Sequence, residues 1–244
     1  MKMLRRLKSK KVIIPVSTLI IVAGTLIYFS DRLTSFIFLN FFYSEAKTPK
    51  AYLTPISREI NLSQYKFKAH SRLSYKHINL KAPWELKERH DLDLSTFFVF
   101  VNKKGIEIQR QSDDESILKN LLKDEPIEVH KTKLLFGEKN LKSEYSIVNL
   151  ILNTTPEQAS LFKPLQALLR VHPLLLYKTL YSALADVIYK FNIDNFEVFQ
   201  FGNPQNTENV RVHIFNKNGQ VFRLHFIRAT QAEIDYILST IEFF

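Results

Sequence analysis

Arg211, His213, Arg223 and His225 are the side chains whose types and spacing carry the most chemistry in this chain. Each pair sits two residues apart within an alternating run, Val210 to Phe215 and Gln220 to Ile227, so in extended chain both members of a pair share a face. The two runs flank Asn216-Lys217-Asn218-Gly219, a hairpin signal. A two-residue loop at Asn218-Gly219 would put Val210, Val212 and Ile214 on the face opposite Phe222, Leu224 and Phe226. A three-residue loop with a bulge gathers all six on one face. Because a one-residue slip flips every side chain, burial selects the second register. It sets Arg211 opposite His225 and His213 opposite Arg223, all four on the other face. Two guanidiniums beside two titratable imidazoles can hold a carboxylate, a phosphate or an acidic partner surface, more tightly as the histidines protonate. The plainer expectation is a solvated outer face, since a half-buried sheet needs polar residues on its wet side in any case. With no carboxylate or cysteine partner in view, the two histidines do not read as a metal site.

Little else in the sequence has catalytic spacing. His70, His77, His90, His130 and His172 are isolated, and His172 reads as a helix junction before Pro173. There is no Gly-x-Ser-x-Gly elbow, His-Glu-x-x-His pair, Walker loop or dinucleotide fingerprint, and 5 glycines in 244 residues leave little for phosphate-cradling loops. No catalytic residue, metal or cofactor is therefore assigned, and binding is favoured over catalysis. The absence of cysteine removes disulfides, thiolate sites, cysteine nucleophiles and a lipidated cysteine. Such a domain must rely on its core, which suits a bacterial envelope protein.

The elements that position the cluster read as α+β, an antiparallel sheet with helices packed on it. Tyr75 to Leu80 alternates and stops at Pro83-Trp84, and Phe97 to Val101 and Ile106 to Gln109 flank a turn at Asn102-Lys103-Lys104-Gly105, where the glycine suits a left-handed closing position. Ser112-Asp113-Asp114-Glu115 has capping-box spacing before Ile117, Leu118, Leu121 and Leu122, and its acids fit a first helical turn better than a metal site. Residues 143–191 read as helical: Ser143 opens one helix, Thr155-Pro156-Glu157-Gln158 is a second capping box, Pro164 interrupts, and His172-Pro173 separates a further helix from Leu174 to Phe191. Lys178, Asp186 and Lys190 make that last helix a buried one rather than a membrane crossing. Phe196 to Phe201 is a strand, the Arg/His hairpin follows, and Thr230-Gln231-Ala232-Glu233 caps a final helix.

Ahead of this domain, Val12 to Phe29 is an uncharged run with eleven Val, Ile, Leu or Phe residues. At about 0.3–0.6 kcal/mol each these favour insertion by roughly 3–7 kcal/mol, and eighteen residues span roughly 27 Å of a ~30 Å hydrocarbon layer. The run is too long for a signal-peptide core, and the nearest acceptable cleavage site, Ser44-Glu45-Ala46, is distant. Lys2, Arg5, Arg6, Lys8, Lys10 and Lys11 carry +6 of the net +10, so the basicity marks topology and headgroup contact rather than nucleic acid. The expected organisation is a cytoplasmic tail over 1–11, one transmembrane helix over 12–29, an interfacial segment and linker over 30–72, and a soluble domain over 73–244 with a helical insertion near 143–191. The N-terminus is cytoplasmic and the domain extracytoplasmic, on the inner membrane of a cell.

The order of strand, Pro83-Trp84, glycine-turn hairpin, short helix, then strand, hairpin and terminal helix resembles the domain of the P subunit of the photosystem II oxygen-evolving complex and its non-photosynthetic relatives. The likeness covers roughly residues 73–125 and 193–243, and the helical stretch 143–191 departs from it. It implies an antiparallel sheet between helical layers and a role in binding or assembly, and it carries over no functional residue. The expectation is a single-pass, non-enzymatic envelope protein that binds lipid through 12–29 and the basic N-terminus and presents its domain to a protein partner. The alternative is a membrane-bound enzyme or anionic-ligand sensor that uses the Arg/His cluster.

Overall fold

The computed structural model describes residues 22, 25, 29–37, 39, 48–60, 67–112, 116, 133, 136–183, 185–216 and 219–244. Of the apolar run 12–29, only Val22, Thr25 and Phe29 are described, and all three are helical, as are 30–37 and Leu39. The rest of the run, and the short helix expected after Ser112, lie outside the described residues. Among the described residues, no helix is long and apolar enough to cross a membrane.

The chain is α+β, with an eight-stranded sheet at its centre. Two meanders build it. One is β4 (Leu86–Asp91), β5 (Ser95–Phe100) and β6 (Gly105–Arg110); the other is β7 (Ile188–Ile193), β8 (Phe196–Phe201), β9 (Asn209–Phe215) and β10 (Val221–Ile227). They join where β10 pairs antiparallel with β6, and β1 (Ile56–Ser57), from the segment expected to be linker, adds a parallel strand beside β7. A second sheet has β2 (Ser71–Tyr75), β3 (Ile78–Ala82) and β11 (Glu242–Phe243).

The alternation of β9 and β10 settles both faces of the large sheet. Val210, Val212, Ile214, Phe222, Leu224 and Phe226 all enter one core, shared with Phe98, Phe100, Ile106 and Ile108, the small sheet, and Ile234, Ile237 and Leu238 of α3 (Gln231–Ser239). On the opposite face, Phe199, Phe201, Phe215 and Val221 pack under Val148 and Leu152 of α1 (Glu144–Asn153), with Tyr181 at the end of α2 (Pro164–Tyr181) partly buried against them. A third cluster, Leu39, Ala51, Ala159, Ala167, Val171 and Leu175, ties the N-terminal helical segment to α2.

Ser143 caps α1 by accepting from the Ser146 amide at 3.1 Å, and Thr230 forms a complete capping box with Glu233 on α3. Several elements depart from expectation. Tyr75 to Leu80 is no single strand: the chain reverses at Lys76-His77, with Lys76 left-handed, which lets Tyr75 face Ile78 so that both are buried. In the first long hairpin Lys103, not Gly105, takes the left-handed position. Gly105 is needed for a different reason, since a Cβ there would lie 3.0 Å from the Phe97 ring. Thr155 makes no side-chain cap, because Pro156–Leu161 forms a 3-10 turn rather than an α-helix.

The break expected at His172-Pro173 is absent. Pro164 opens α2 instead, and the helix runs through Pro173 to Tyr181. One missing N–H costs less here than exposing Val171, Leu174 and Leu175, which are buried on either side of it. The helix expected to reach Phe191 therefore stops at Tyr181, and Ile188–Ile193 is strand β7, with Ile188 buried on one face of the sheet and Phe191 and Ile193 on the other. Ile188 and Phe191 are three residues apart and so fit a helical period as well as the two faces of a strand.

Candidate functional site

β9 and β10 pair in the register that gathers the four basic side chains: Arg211 is opposite His225, and His213 is opposite Arg223. β6 extends both rows, with Glu107 opposite His225 and Gln109 opposite Arg223, while β8 sets Phe201 beside Arg211 and Phe199 beside His213. The face thus carries two parallel rows, Glu107–His225–Arg211–Phe201 and Gln109–Arg223–His213–Phe199.

This face is not the solvated one expected of a half-buried sheet. Leu180 and Tyr181, at the C-terminal end of α2, overhang it and border a half-open cavity of about 350 Å³ lined also by Glu107, Gln109, Arg211, His213, Arg223 and His225. His213 is 5 % exposed, and the other three basic residues are half-buried. The Tyr181 ring meets His213 edge-on with centroids 5.7 Å apart, and Phe201 lies 4.9 Å from the same imidazole. Arg211 donates from Nη2 to the Tyr181 carbonyl at 3.2 Å and lies 5.9 Å over the Phe201 ring. A guanidinium on the last carbonyls of a helix is favoured by the helix dipole, so this contact fixes both Arg211 and the overhang.

Burial, reinforced by the Arg223 and Arg211 charges, pushes the His213 imidazole well below its ordinary range. Burial also lowers His225; Glu107, with Oε2 3.8 Å from Nδ1, pulls it upward, and Arg211 pushes it down. Burial and then Arg223 make the Arg211 guanidinium easier to deprotonate than usual, though an arginine stays charged in the physiological range. At neutral pH the lining holds two guanidiniums, one carboxylate and two neutral imidazoles, a net charge of +1. His213 Nδ1 and His225 Nε2 are buried without a hydrogen-bond partner among the described residues. A buried polar nitrogen left so costs about 1–3 kcal/mol, which a water would recover, or an entering anion once the ring is protonated and both nitrogens donate.

All four residues singled out by spacing thus come together. Glu107 and Gln109 were visible only as the polar side of an alternating strand, because pairing between β6 and β10, more than a hundred residues apart, has no local signal. Tyr181 had none, since its helix was expected to continue past it. His70 lies just before β2, His77 in the turn after it, His90 on β4 and His172 on α2, and His130 is outside the described residues. Among the described residues, no group of three or more His, Asp or Glu side chains is placed to hold a metal ion.

A second cavity of about 440 Å³, beyond the turn end of the β9–β10 hairpin, has the opposite character. Glu144, Tyr145, Asp194 and Glu197 line it, and burial raises both the Tyr145 phenol and the Glu197 carboxyl. Of the two, the cavity beneath α2 alone collects arginines. Comparison of the chain with family models, curated proteins and solved structures finds no match.

Proposed function

We propose that this chain is a single-pass, membrane-anchored binding protein of the cell envelope. Its extracytoplasmic domain takes an anionic group of a partner, a carboxylate or phosphate, against Arg211, His213, Arg223 and His225. The observation that carries this reading is the cavity beneath α2 in which two guanidiniums face one carboxylate and two imidazole nitrogens have no hydrogen-bond partner among the described residues. Charge-assisted bonds to guanidinium are the strong ones, and the cationic lining favours anions over neutral ligands. The uncharged run 12–29 behind a +6 tail supports the anchor and its orientation, with the N-terminus cytoplasmic. The resemblance to the photosystem II P-subunit domain is in keeping with binding or assembly rather than catalysis.

The test is titration of the detergent-solubilised full chain with inorganic phosphate and with citrate, read by thermal shift and calorimetry. Saturable stabilisation is expected, weaker by about tenfold or more in Arg211→Gln/Arg223→Gln, given roughly 1.5–3 kcal/mol for each charged hydrogen bond. Binding tightens as pH falls below about 6.5, where the bound anion helps the histidines gain protons that burial otherwise denies them. Equal stabilisation of wild type and double variant would remove the site from consideration. In parallel, protease added to intact spheroplasts should digest a C-terminal tag; protection of the tag would reverse the orientation.

A further inference from the structure

α2 is amphipathic in an unusual sense, because its solvent side is the apolar one. Ala167, Val171, Leu174, Leu175 and Lys178 face the protein and are buried. Leu165, Leu169, Leu176 and Leu180 are exposed by 67 %, 58 %, 41 % and 64 %. At 3.6 residues per turn these four positions fall within about 60° of arc and form one stripe roughly 22 Å long. A lone exposed leucine needs no explanation, but an aligned row marks a surface with an occupant.

The same pattern recurs on the N-terminal helical segment. Ser35 and Leu39 are buried, and Ser35 donates from its hydroxyl to the Phe162 carbonyl just ahead of α2, so this segment lies against the start of that helix. Its other side exposes Phe29, Leu33 and Ile37, spaced four apart, each by more than half. Leu161, exposed in the 3-10 turn before α2, lies beside the junction. Two helices in contact therefore both turn apolar rows outward, and one of them is the direct continuation of the run 12–29.

Charge points to the same occupant. α2 contains no acidic residue; its charged side chains are Arg170 and the buried Lys178, and Lys163 precedes it. Arg170 stacks its guanidinium 5.1 Å over the Phe162 ring, the arrangement of a long cationic side chain whose stem lies on apolar surface. The nearest acid before the helix in sequence is Glu157, in the preceding turn.

We infer that the leucine stripe of α2, with Phe29, Leu33 and Ile37, lies in the headgroup–acyl boundary of the outer leaflet of the same membrane that holds residues 12–29. The inference rests on the anchor reading. A helix in this position lies in the plane of the interface, with its apolar side sunk below the headgroups and its cations at their level. Here the other side of the helix is not wet but packed on the domain, so the whole domain lies down on the membrane. The Arg/His cavity beneath Tyr181 is then held at a fixed height close to the lipid surface.

The cysteine-free sequence makes the test direct. Single variants Leu169→Cys, Leu176→Cys, Leu92→Cys and Ile20→Cys of the full chain are labelled with an environment-sensitive fluorophore and reconstituted into vesicles of mixed zwitterionic and anionic phospholipid. Leu92, exposed after β4 at the far edge of the sheet, is the aqueous reference, and Ile20 reports the anchor. Probes at 169 and 176 are expected to be quenched by shallow nitroxide lipids and to be about threefold or more less sensitive to aqueous iodide than the probe at 92. Iodide-sensitive probes at 169 and 176 with a lipid-quenched probe at 20 would overturn the inference and leave the anchor standing. Aqueous behaviour at all four positions would overturn both. Protection from iodide without lipid quenching would assign the stripe to a second protein copy and overturn the inference.

Discussion

Arg58 grips Asp235 through both terminal nitrogens, Nη1 to Oδ2 at 2.9 Å and Nη2 to Oδ1 at 2.6 Å, and so joins the segment after the N-terminal helix to the last helix, 177 residues away. The same guanidinium donates to Gln200 Oε1 at 2.9 Å and stacks 4.2 Å over Phe191, while Gln231 Nε2 donates to Asp235 Oδ1 at 2.8 Å. The pair is nearly dry, with side chains 15 % and 3 % exposed. Removing one partner leaves a buried charge uncompensated, so Asp235→Ala is expected to lower unfolding free energy by about 3–5 kcal/mol. The apolar double variant Arg58→Met/Asp235→Leu is expected to recover most of that loss. Urea unfolding of the full chain in detergent measures both; a double variant no better than Asp235→Ala would show that β1 is held by something other than this pair.

Glu233 serves three elements at once. Its carboxylate accepts from the Thr230 amide at 2.8 Å in the capping box, from Trp84 Nε1 at 2.9 Å, and from Lys104 Nζ at 2.6 Å. Burial alone would raise this carboxyl, but Lys104, the Thr230 amide, Trp84 and the Thr230 hydroxyl together hold it below its ordinary value. A depressed folded-state carboxyl stabilises above about pH 4.5, its unfolded value, and the contribution fades as pH falls through the folded value. Glu233→Ala is expected to cost about 2–4 kcal/mol at neutral pH through the lost cap and the orphaned indole N–H. Glu233→Gln, which keeps an acceptor, is expected to cost about half as much and to flatten the acid limb. Thermal unfolding between pH 3 and pH 7 reads both.

The contrast between the two ends of the chain shows what local sequence can specify. The β9–β10 register was legible because six apolar side chains agree on a single face and a one-residue slip would move them all out of their common core. The Thr230 cap was legible for a similar reason, since its donor and acceptor lie three residues apart. β1 was not: Ile56 and Ser57 are both exposed, and they pair with Tyr189 and Lys190, more than a hundred residues on. The overhang above the Arg/His face was equally hidden. It depends on α2 running through Pro173 to end at Tyr181, which cluster burial decides and proline propensity opposes.

Lys178 is fully buried, and its ammonium donates to the Ala51 carbonyl at 2.9 Å and the Thr154 carbonyl at 2.6 Å, tying the 3-10 turn at Pro49–Tyr52 and the C-terminal end of α1 to α2. Burial pulls it down to about 8, with Glu157 acting the other way. Between that value and its unfolded value of 10.5 the unfolded chain binds more protons, so stability rises with pH across this window. Lys178→Met is expected to abolish that rise. At neutral pH it removes a costly buried charge but leaves two carbonyls without a donor, and a net loss of about 1–3 kcal/mol is expected. Denaturant midpoints at pH 7, 8.5 and 10 distinguish this from simple packing loss, which would lower all three equally.

His213 makes the site itself pH-sensitive. Its folded-state value lies well below 6.5, because burial and the Arg223 and Arg211 guanidiniums disfavour a third positive charge. Below about pH 6.5 the unfolded chain therefore binds protons that the folded chain refuses, and stability falls as pH drops toward the folded value, by up to about 1.4 kcal/mol per unit for each such histidine. His225 contributes in the same direction, burial again leading and Glu107 opposing. His213→Asn is expected to remove about one proton's worth of this slope between pH 6.5 and pH 5, and His225→Asn a further share. A bound anion reverses the balance, since the protonated imidazole then gains a partner. With saturating citrate, wild-type stability is accordingly expected to decline less steeply over the same interval, and the two histidine variants to respond less to citrate at pH 5.5 than at pH 7.5 relative to wild type. Paired denaturation curves with and without citrate measure this. An acid slope identical in wild type and His213→Asn would mean that the imidazole reaches solvent and titrates normally, and that α2 does not close over the face.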